Sequence, residues 1–295
     1  MHKIISFNDW IIDKDSPYGS GASEKIWLVN TETQDKGIFK FPKTHTYGNI
    51  TGEYWAEKIA YEIACAINME CARVDIGEFN GRRGSMSYML LNEDEELIEG
   101  IQYITNKFPY YSQDEFIDLA SGEIYSIQMI LESLIGTNLE RDFLKTPIFD
   151  CLIGNSDRHH SNWGIVKNTG NQSVKIASLY DNGSSLCCYI NSNDVDNFLN
   201  DSLKFESLIY GKSKSIIGWS TTKKIRHFDL LNKLKEMFYD ETIEMVLNIK
   251  NNLSEDIIVS IINRYPENIV DSQIKTLLIT FLFERRKRIL QCYGI

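Results

Sequence analysis

A polar loop between two apolar segments constrains the fold of this chain more than any other feature. An apolar helical segment ends at Gly154, and glycine commonly terminates helices. The polar residues 157–162 follow, and a short apolar run begins at Trp163. A second apolar stretch ends in Tyr180-Asp181, and Asp181 stands nineteen positions after Asn162. This order predicts two polar loops flanking a small hairpin.

The side chains in these loops are of the types that phosphoryl transfer needs. That reaction requires an acceptor for the proton of the substrate hydroxyl and hard oxygen ligands for Mg²⁺. Asp157 is the candidate for the first role, and Asn162 and Asp181 are the candidates for the second. Each of them alone would be an ordinary turn-forming residue. Their order, spacing and apolar flanks together favour a phosphotransferase.

The pattern of apolar residues divides the chain in two. The first ninety residues contain one helical segment and several short β-rich runs, at 52–68 for the helix and 26–30, 37–41, 73–79 and 85–91 for the strands. An acidic run at 93–96 is expected to be a solvated linker. Beyond it the pattern is mainly helical, at 114–120, 122–136, 142–154, 227–250, 255–264 and 271–291. We predict an α+β fold with a sheet-rich N-terminal lobe at 1–92 and a helical C-terminal lobe at 93–295.

Charge and composition argue against several classes of function. The chain has 41 acidic and 31 basic residues and a formal net charge of −10, whereas a nucleic-acid surface needs a basic face. Its N-terminus lacks the apolar core of a signal peptide, and no stretch approaches the roughly 18 apolar residues of a membrane span. The six cysteines show no C-x-x-C spacing, which favours reduced thiols. We therefore expect a cytoplasmic protein that binds neither nucleic acid nor membranes directly.

The pattern D-R-H-x-x-N at 157–162, followed by Tyr180-Asp181, resembles the catalytic and metal-binding loops of HipA-like serine/threonine kinases. The same pattern occurs in phosphatidylinositol 3/4-kinases, which have a related fold. The resemblance implies a bilobal protein-kinase-like fold, ATP and Mg²⁺ as cofactors, Asp157 as the catalytic aspartate, and Asn162 and Asp181 as metal ligands. It also places His159 at the nucleotide. A loop histidine with an ordinary hydrogen bond is the equal alternative for His159.

A glycine-rich segment near the N-terminus resembles the nucleotide loop of the same family. Small residues let backbone N–H groups approach phosphate oxygens. The resemblance implies that nucleotide is bound by Gly19, Ser20, Gly21, Ala22, Ser23 and Lys25. Family members phosphorylate a serine in this loop, which makes Ser20 the candidate for autophosphorylation, with Ser23 and Ser16 as alternatives.

Lys40 resembles the lysine with which the family contacts phosphate. It stands between two phenylalanines, and the alternative is an edge-strand lysine that discourages aggregation. Glu53 opens the first helical segment and is predicted to pair with Lys40; Glu57, one turn further on, is the competing partner. Met89 and Leu91 are expected to line the adenine pocket.

Two other segments imitate functional motifs. Gly211-Lys212-Ser213 would need a glycine at position 206 to form a phosphate-binding P-loop, and Glu206 stands there. The basic run at 285–288 ends an amphipathic helical pattern and is predicted to be a solvated helix end.

The sequence thus predicts an ATP- and Mg²⁺-dependent protein serine/threonine kinase of the HipA-like, toxin–antitoxin type, with an unidentified protein substrate. Larger family members carry a further N-terminal subdomain, and only eighteen residues precede Gly19, so we expect a short form. A small antitoxin or regulatory protein is the expected partner. Two alternatives remain: a lipid or small-molecule kinase on the same fold, and a catalytically silent ATP-binding module.

Overall fold

The computed structural model describes residues 2–14, 24–44, 48 and 50–295, which form two lobes. The elements of the N-terminal lobe are β1 (Ile5–Ser6), β2 (Ile11–Ile12), β3 (Lys25–Val29), β4 (Lys36–Lys40), α1 (Glu53–Ala66), β5 (Val74–Phe79) and β6 (Arg82–Tyr88). The strands form one sheet in the order β1-β5-β6-β4-β3-β2, with β1 parallel to β5 and the other pairs antiparallel. The α+β architecture predicted from the sequence is confirmed.

Different parts of the chain cover the two faces of this sheet. A cluster containing Phe39 and Phe41 covers one face. Helix α1 packs on the other face, where Ile59 and Ile63 are fully buried. Successive side chains of a strand point to opposite faces. Lys40 therefore points away from the phenylalanine cluster and toward α1, which explains why a lysine stands between two phenylalanines.

A hairpin turn at Asn80-Gly81 joins β5 and β6, and β6 begins earlier than the run predicted at 85–91. Both residues have positive φ, at 50° and 75°, as a tight two-residue hairpin turn requires. Strand β6 therefore begins directly after the turn, at Arg82, and ends at Tyr88. Met89 and Leu91 lie beyond the strand that was predicted to contain them.

The C-terminal lobe is mainly helical. Its elements are β7 (Glu95–Glu99), α2 (Gly100–Lys107), β8 (Tyr111–Ser112), β9 (Ile117–Asp118), α3 (Ile127–Ser133), α4 (Glu140–Phe143), α5 (Lys145–Ile153), β10 (Gly164–Asn168), β11 (Val174–Ile176), α6 (Val195–Leu199), α7 (Ser202–Glu206), α8 (His227–Met237), α9 (Tyr239–Asn252), α10 (Glu255–Asn263) and α11 (Ser272–Tyr293). A three-stranded sheet, β11-β10-β7, lies next to the cleft, and α11 packs against α5 in the core.

The acidic run at 93–96 was predicted to be a solvated linker. In the structure its second half belongs to β7. This strand pairs antiparallel with β10, and Leu97 lies opposite Val166. The charges at the start of β7 are compatible with a strand since lysines on its neighbours pair with them. Lys175 lies 3.0 Å from Glu95.

Two helix predictions in this lobe are wrong in detail. Residues 114–120 contain no helix, because the chain turns at Phe116, whose φ is 54°, and forms the β8–β9 hairpin. The segment 227–250 is two helices that meet at Phe238. The hydrophobic periodicity of the sequence did not separate these two helices, since each of them buries one apolar face.

The basic run at 285–288 is not a solvated helix end. Helix α11 continues to Tyr293, so Arg285 lies in its middle and is fully buried. Its guanidinium group donates to the carbonyl oxygens of Cys151 and Ile209 and to Ser213 Oγ. Within the part of the chain that the structure describes, no helix is long and apolar enough to cross a membrane.

Candidate active site

A cavity of about 130 Å³ lies between the lobes and collects most of the charged residues singled out from the sequence. Its lining includes Lys40, Lys43, Glu53, Glu57, Ser85, Asp157, His159, Asp181 and Ser184. The end of β4, the first turns of α1, the loop after α5 and the segment after β11 each contribute. The two loops predicted to carry the chemistry therefore meet in one place.

Lys40 lies between two carboxylates at the floor of this cavity. Its Nζ is 2.9 Å from Asp181 Oδ1 and 3.8 Å from Glu57 Oε2. Burial lowers the pKa of Lys40, but both carboxylates raise it, and the net result lies above the ordinary value. The lysine is therefore a permanent cation facing the cavity.

The partner predicted for Lys40 was wrong, since Glu57 rather than Glu53 pairs with it. Side chains four residues apart on a helix lie on the same face, one turn apart. The second turn of α1 lies beside Lys40, whereas the first turn extends past it to Lys43. Lys43 Nζ is 3.3 Å from Glu53 Oε1. Glu57 is buried, which raises its pKa against the pull of Lys40, and it accepts a hydrogen bond from the Asn182 N–H at 2.9 Å.

A buried arginine joins the two loops. Arg158 donates two hydrogen bonds to the carboxylate of Asp150, from Nε at 3.1 Å and Nη2 at 2.8 Å. Its Nη1 donates to the carbonyl oxygens of Asn162 at 2.8 Å and Tyr180 at 2.7 Å. Bidentate arginine–carboxylate pairs fix geometry as well as contribute energy. Arg158 thus anchors the loop of Asp157 to the segment of Asp181. Sequence reasoning did not assign Asp150, although a lone aspartate in an apolar helix was a usable signal.

Asp157 lies at the cavity wall in a loop closed by asparagines. Asn155 Oδ1 accepts from the Asp157 N–H at 3.0 Å, and Asn162 Nδ2 donates to the Asp157 carbonyl oxygen at 2.8 Å. Burial raises the pKa of Asp157, while His159 pulls it down and Asp181 adds to the rise. A carboxylate with a raised pKa at a cavity wall is suited to accept a proton.

Asp181 has a backbone conformation that its neighbours impose. Its φ is 56°, in the left-handed region that few non-glycine residues adopt. Tyr180 is held through its carbonyl by Arg158, and Asn182 through its N–H by Glu57. Burial raises the pKa of Asp181, but Lys40 lowers it below the ordinary value, so the carboxylate is ionised.

Asp181 and Asn162 each keep an oxygen atom of the type that Mg²⁺ binds. The Asp181 carboxylate is half-exposed, and Asn162 keeps its amide oxygen because its Nδ2 is used by Asp157. Mg²⁺ is commonly held by one or two protein oxygens together with substrate phosphates. Among the described residues no group of three or more His, Cys, Asp or Glu side chains is arranged to hold a metal ion.

The two adjacent histidines point in different directions. His159 lines the cavity, and its Nδ1 accepts the Ser161 N–H at 3.2 Å. His160 is buried beneath the β8–β9 hairpin, 3.1 Å from the Tyr111 hydroxyl, and burial lowers its pKa to about 4. His159 therefore has an ordinary loop hydrogen bond and also faces the cavity, so both interpretations of it remain.

Not every predicted nucleotide contact can be placed at the cavity. Gly19, Ser20, Gly21, Ala22 and Ser23 lie outside the described residues, as does Ser16. Lys25 lies directly opposite Lys40 across β3 and β4. Met89 and Leu91 are not in the cavity lining, and Met89 is 41% exposed. Their roles stay predictions.

A second network supports the loop of Asp157 from behind. His227 Nε2 lies 2.7 Å from the Asn155 carbonyl oxygen, so this nitrogen carries the proton and donates. His227 Nδ1 then accepts from Ser213 Oγ at 2.9 Å, and that oxygen accepts from Arg285 at 2.7 Å. Burial and the adjacent Arg285 lower the pKa of His227 to about 3. The loop is thereby tied to α11.

The chain belongs to the family of the HipA-like C-terminal domain, whose sequence model matches residues 19–253. It is 24% identical over 291 residues to the serine/threonine-protein kinase CtkA of Helicobacter pylori, covering 97% of this chain and 86% of CtkA. The crystal structure of the H. pylori proinflammatory kinase CtkA superposes with a TM-score of 0.82 at 20% identity, over 98% of this chain and 96% of that one.

A more distant structure has the same fold. It is the Shewanella oneidensis HipA in a toxin–antitoxin complex with HipB and operator DNA. The TM-score is 0.60 at 14% identity, over 96% of this chain and 66% of that chain. The HipA-like family and the bilobal fold predicted from the sequence are confirmed.

Proposed function

We propose that this protein is a serine/threonine protein kinase that transfers the γ-phosphoryl group of ATP to a protein hydroxyl. One observation carries the proposal: the cavity that contains the Lys40–Asp181 pair also contains the Asp157 carboxylate. A fixed cation, an ionised metal-type ligand and a proton acceptor are the parts that phosphoryl transfer needs. Membership of the HipA-like family and the likeness to CtkA support it.

In this proposal each residue has one task. Lys40 binds phosphate oxygens, and Glu57 keeps its ammonium group in place. Asp157 orients the acceptor hydroxyl and takes its proton. Asn162 and Asp181 would hold Mg²⁺, which supplies charge neutralisation on the phosphates when it is bound. The transition state of phosphoryl transfer is loose, so the protein contributes positioning and electrostatics rather than a covalent bond.

The partners belong to the same proposal. The S. oneidensis HipA is found with HipB, which supports a small regulatory protein as a partner for this chain. We propose a cytoplasmic location and autophosphorylation at Ser20.

The test is intact-mass and phosphopeptide analysis after incubation with ATP and Mg²⁺, on the wild type and on Asp157→Asn and Asp181→Asn. We expect added phosphate on the wild type, none on the two variants, and addition as in the wild type on Asp256→Asn, an exposed aspartate on α10. Transfer to inositol lipid but not to protein would support the lipid-kinase alternative. Thermal stabilisation by ATP and Mg²⁺ without phosphoprotein or ADP formation would support a silent binding module.

A further inference from the structure

A second group of charged and polar residues lies beside Lys40 and Glu57 at the cavity. Glu53, the first residue of α1, accepts hydrogen bonds from the Tyr189 hydroxyl at 2.8 Å and the Thr51 hydroxyl at 2.7 Å. Lys43 Nζ lies 3.3 Å from Glu53 and 5.8 Å from the Tyr189 ring centroid. We call Lys43, Glu53, Tyr189 and Ser184 the interlobe clasp, because the first two belong to the N-terminal lobe and the other two follow Asp181 in the chain.

The clasp fixes the backbone of Lys43 but leaves its ammonium group accessible. The Lys43 N–H donates to Glu53 Oε2 at 3.0 Å, and its carbonyl oxygen accepts from the Thr51 N–H at 2.8 Å. The Lys43 side chain is 56% exposed, whereas that of Lys40 is 18% exposed. The backbone of Lys43 is thus fixed, whereas its ammonium group can change partner.

The carboxylate that holds Lys43 does not depend on it. Glu53 retains the hydroxyls of Tyr189 and Thr51 and the Lys43 N–H as donors if the ammonium group leaves. The ammonium group of Lys43 is exposed, so its ion pair is screened by solvent and exchanging the carboxylate for a phosphate oxygen costs little. The movement of Lys43 into the cavity is therefore allowed by the contacts around it.

Tyr189 connects the clasp to the segment of Asp181. Its hydroxyl proton is used by Glu53, so Ser184 Oγ, 3.2 Å away, donates to the tyrosine oxygen. The Gly52 N–H donates to the Cys188 carbonyl oxygen at 2.7 Å, which docks the same segment on the start of α1. The position of Lys43 is thus coupled to the segment that carries Asp181.

Lys43 faces the place where the phosphoryl group must pass. It lines the same cavity as Asp157. The acceptor hydroxyl has to lie at Asp157, and the phosphoryl group between that hydroxyl and Lys40. Lys40 is held by Asp181 and Glu57, whereas the ammonium group of Lys43 pairs with Glu53 and is largely exposed.

We propose that Lys43 is a further catalytic residue that binds the transferred phosphoryl group from the acceptor side, and that Glu53 and Tyr189 are positioning residues that hold it there. The inference rests on the proposed kinase function. In the transfer, the bond from the acceptor oxygen to phosphorus forms as the bond to ADP breaks. The acceptor proton goes to Asp157, and ADP leaves as the anion. Lys43 exchanges no proton and neutralises charge on the equatorial oxygens.

The test compares Lys43→Met and Lys43→Arg with the wild type in steady-state kinetics and in the binding of ADP and a non-hydrolysable ATP analogue. For Lys43→Met we expect kcat to fall about 100-fold, and binding of the analogue to weaken about 10-fold, as expected for loss of one charged phosphate contact. Binding of ADP should stay within about 2-fold, since ADP lacks the group contacted. Lys43→Arg should keep most of the activity. The control is Lys204→Met, whose lysine side chain is 55% exposed and remote on α7.

Two further variants test the positioning residues. Tyr189→Phe and Glu53→Gln should lower kcat several-fold, leave ADP binding unchanged, and have no additional effect on top of Lys43→Met, because they act through it. Equal weakening of ADP and analogue binding by Lys43→Met, or an unchanged kcat, would overturn the inference and leave the kinase proposal intact. A wild type that binds no nucleotide would overturn the kinase proposal itself.

Discussion

Two lysine–glutamate pairs lie side by side at the cavity, and they differ in burial. The lysines stand three residues apart, Lys40 at the end of β4 and Lys43 beyond it, and the glutamates stand four apart on α1. The side chains of Lys40 and Glu57 are 18% and 3% exposed, and those of Lys43 and Glu53 are 56% and 16% exposed. The inner pair also includes Asp181, at 2.9 Å from Lys40.

The difference shows how burial decides what the same two residue types do. Charges removed from water need their partners, and removing one partner leaves the other uncompensated. An exposed pair is screened by solvent and can be exchanged at little cost. The inner pair is therefore suited to fix phosphates in one position, and the outer pair to follow a group that moves.

The largest expected effect is that of Lys40→Met. It removes the phosphate-facing cation and leaves Glu57 and Asp181 without their shared partner, so kcat/KM for ATP should fall about 10³-fold. Lys36→Met is the matched control, since Lys36 lies on the same strand and pairs with Asp13 outside the cavity. Steady-state kinetics measures both. Activity of Lys40→Met within a few-fold of Lys36→Met would remove the distinction between the pairs.

Arg158→Met tests whether the inner pair depends on the buried anchor behind it. The substitution leaves the Asp150 carboxylate buried and unpaired and frees two carbonyl oxygens, which should lower the free energy of unfolding by about 3 kcal/mol or more. Arg226→Met, which breaks a largely exposed pair with Asp229, should have little effect. Urea unfolding gives both values, and similar losses in the two variants would contradict the argument.

Replacing each glutamate by glutamine tests the two lysine–glutamate pairs separately. Glu57→Gln keeps a hydrogen-bond acceptor for the Asn182 N–H but removes the charge beside Lys40, so the affinity for ADP with Mg²⁺ should fall about 30-fold, corresponding to ~2 kcal/mol. Glu53→Gln should leave that affinity within about 2-fold. Calorimetric titration measures both, and an effect of Glu53→Gln as large as that of Glu57→Gln would reassign the nucleotide contact to the outer pair.

The smallest expected effect is on the slope of the free energy of unfolding against pH. The pKa of His227 is lowered to about 3 in the fold, so the unfolded chain binds the extra proton between about pH 6.5 and pH 3. Stability is then lost as pH falls through that window, by about 1.4 kcal/mol per pH unit from this group. His227→Gln should have a shallower slope between pH 7 and pH 5 in chemical unfolding. An unchanged slope would show that the buried imidazole is protonated without cost.

The sequence predicted the loops well because their chemistry lies in contiguous residues. Asp157 and Asp181 were placed in one site by order and spacing, and Lys40 by its position on an alternating strand. Gly154 ends α5 in the left-handed conformation, with φ at 70°, as predicted. These features depend on local backbone rules that a single sequence displays.

Several of the errors concern which neighbour a side chain meets. Helical spacing puts Glu53 and Glu57 on one face but does not say which turn lies beside Lys40. The strand β7 was missed because its charges are compensated by lysines that come some seventy residues later in the chain. The burial of Arg285 depends on carbonyl groups from α5 and from residue 209, and such acceptors have no sequence signature.

The link from Arg285 through Ser213 and His227 to Asn155 has a consequence for synthesis of the protein. Helix α11 is made last among the described elements, and Arg285 supports the loop of Asp157 through Ser213, His227 and Asn155. A nascent chain on the ribosome has the nucleotide-side lysine and both loops before it has this support. We therefore expect the loop of Asp157 to reach its final geometry only late in translation, and under the proposed kinase function unfinished chains would be inactive.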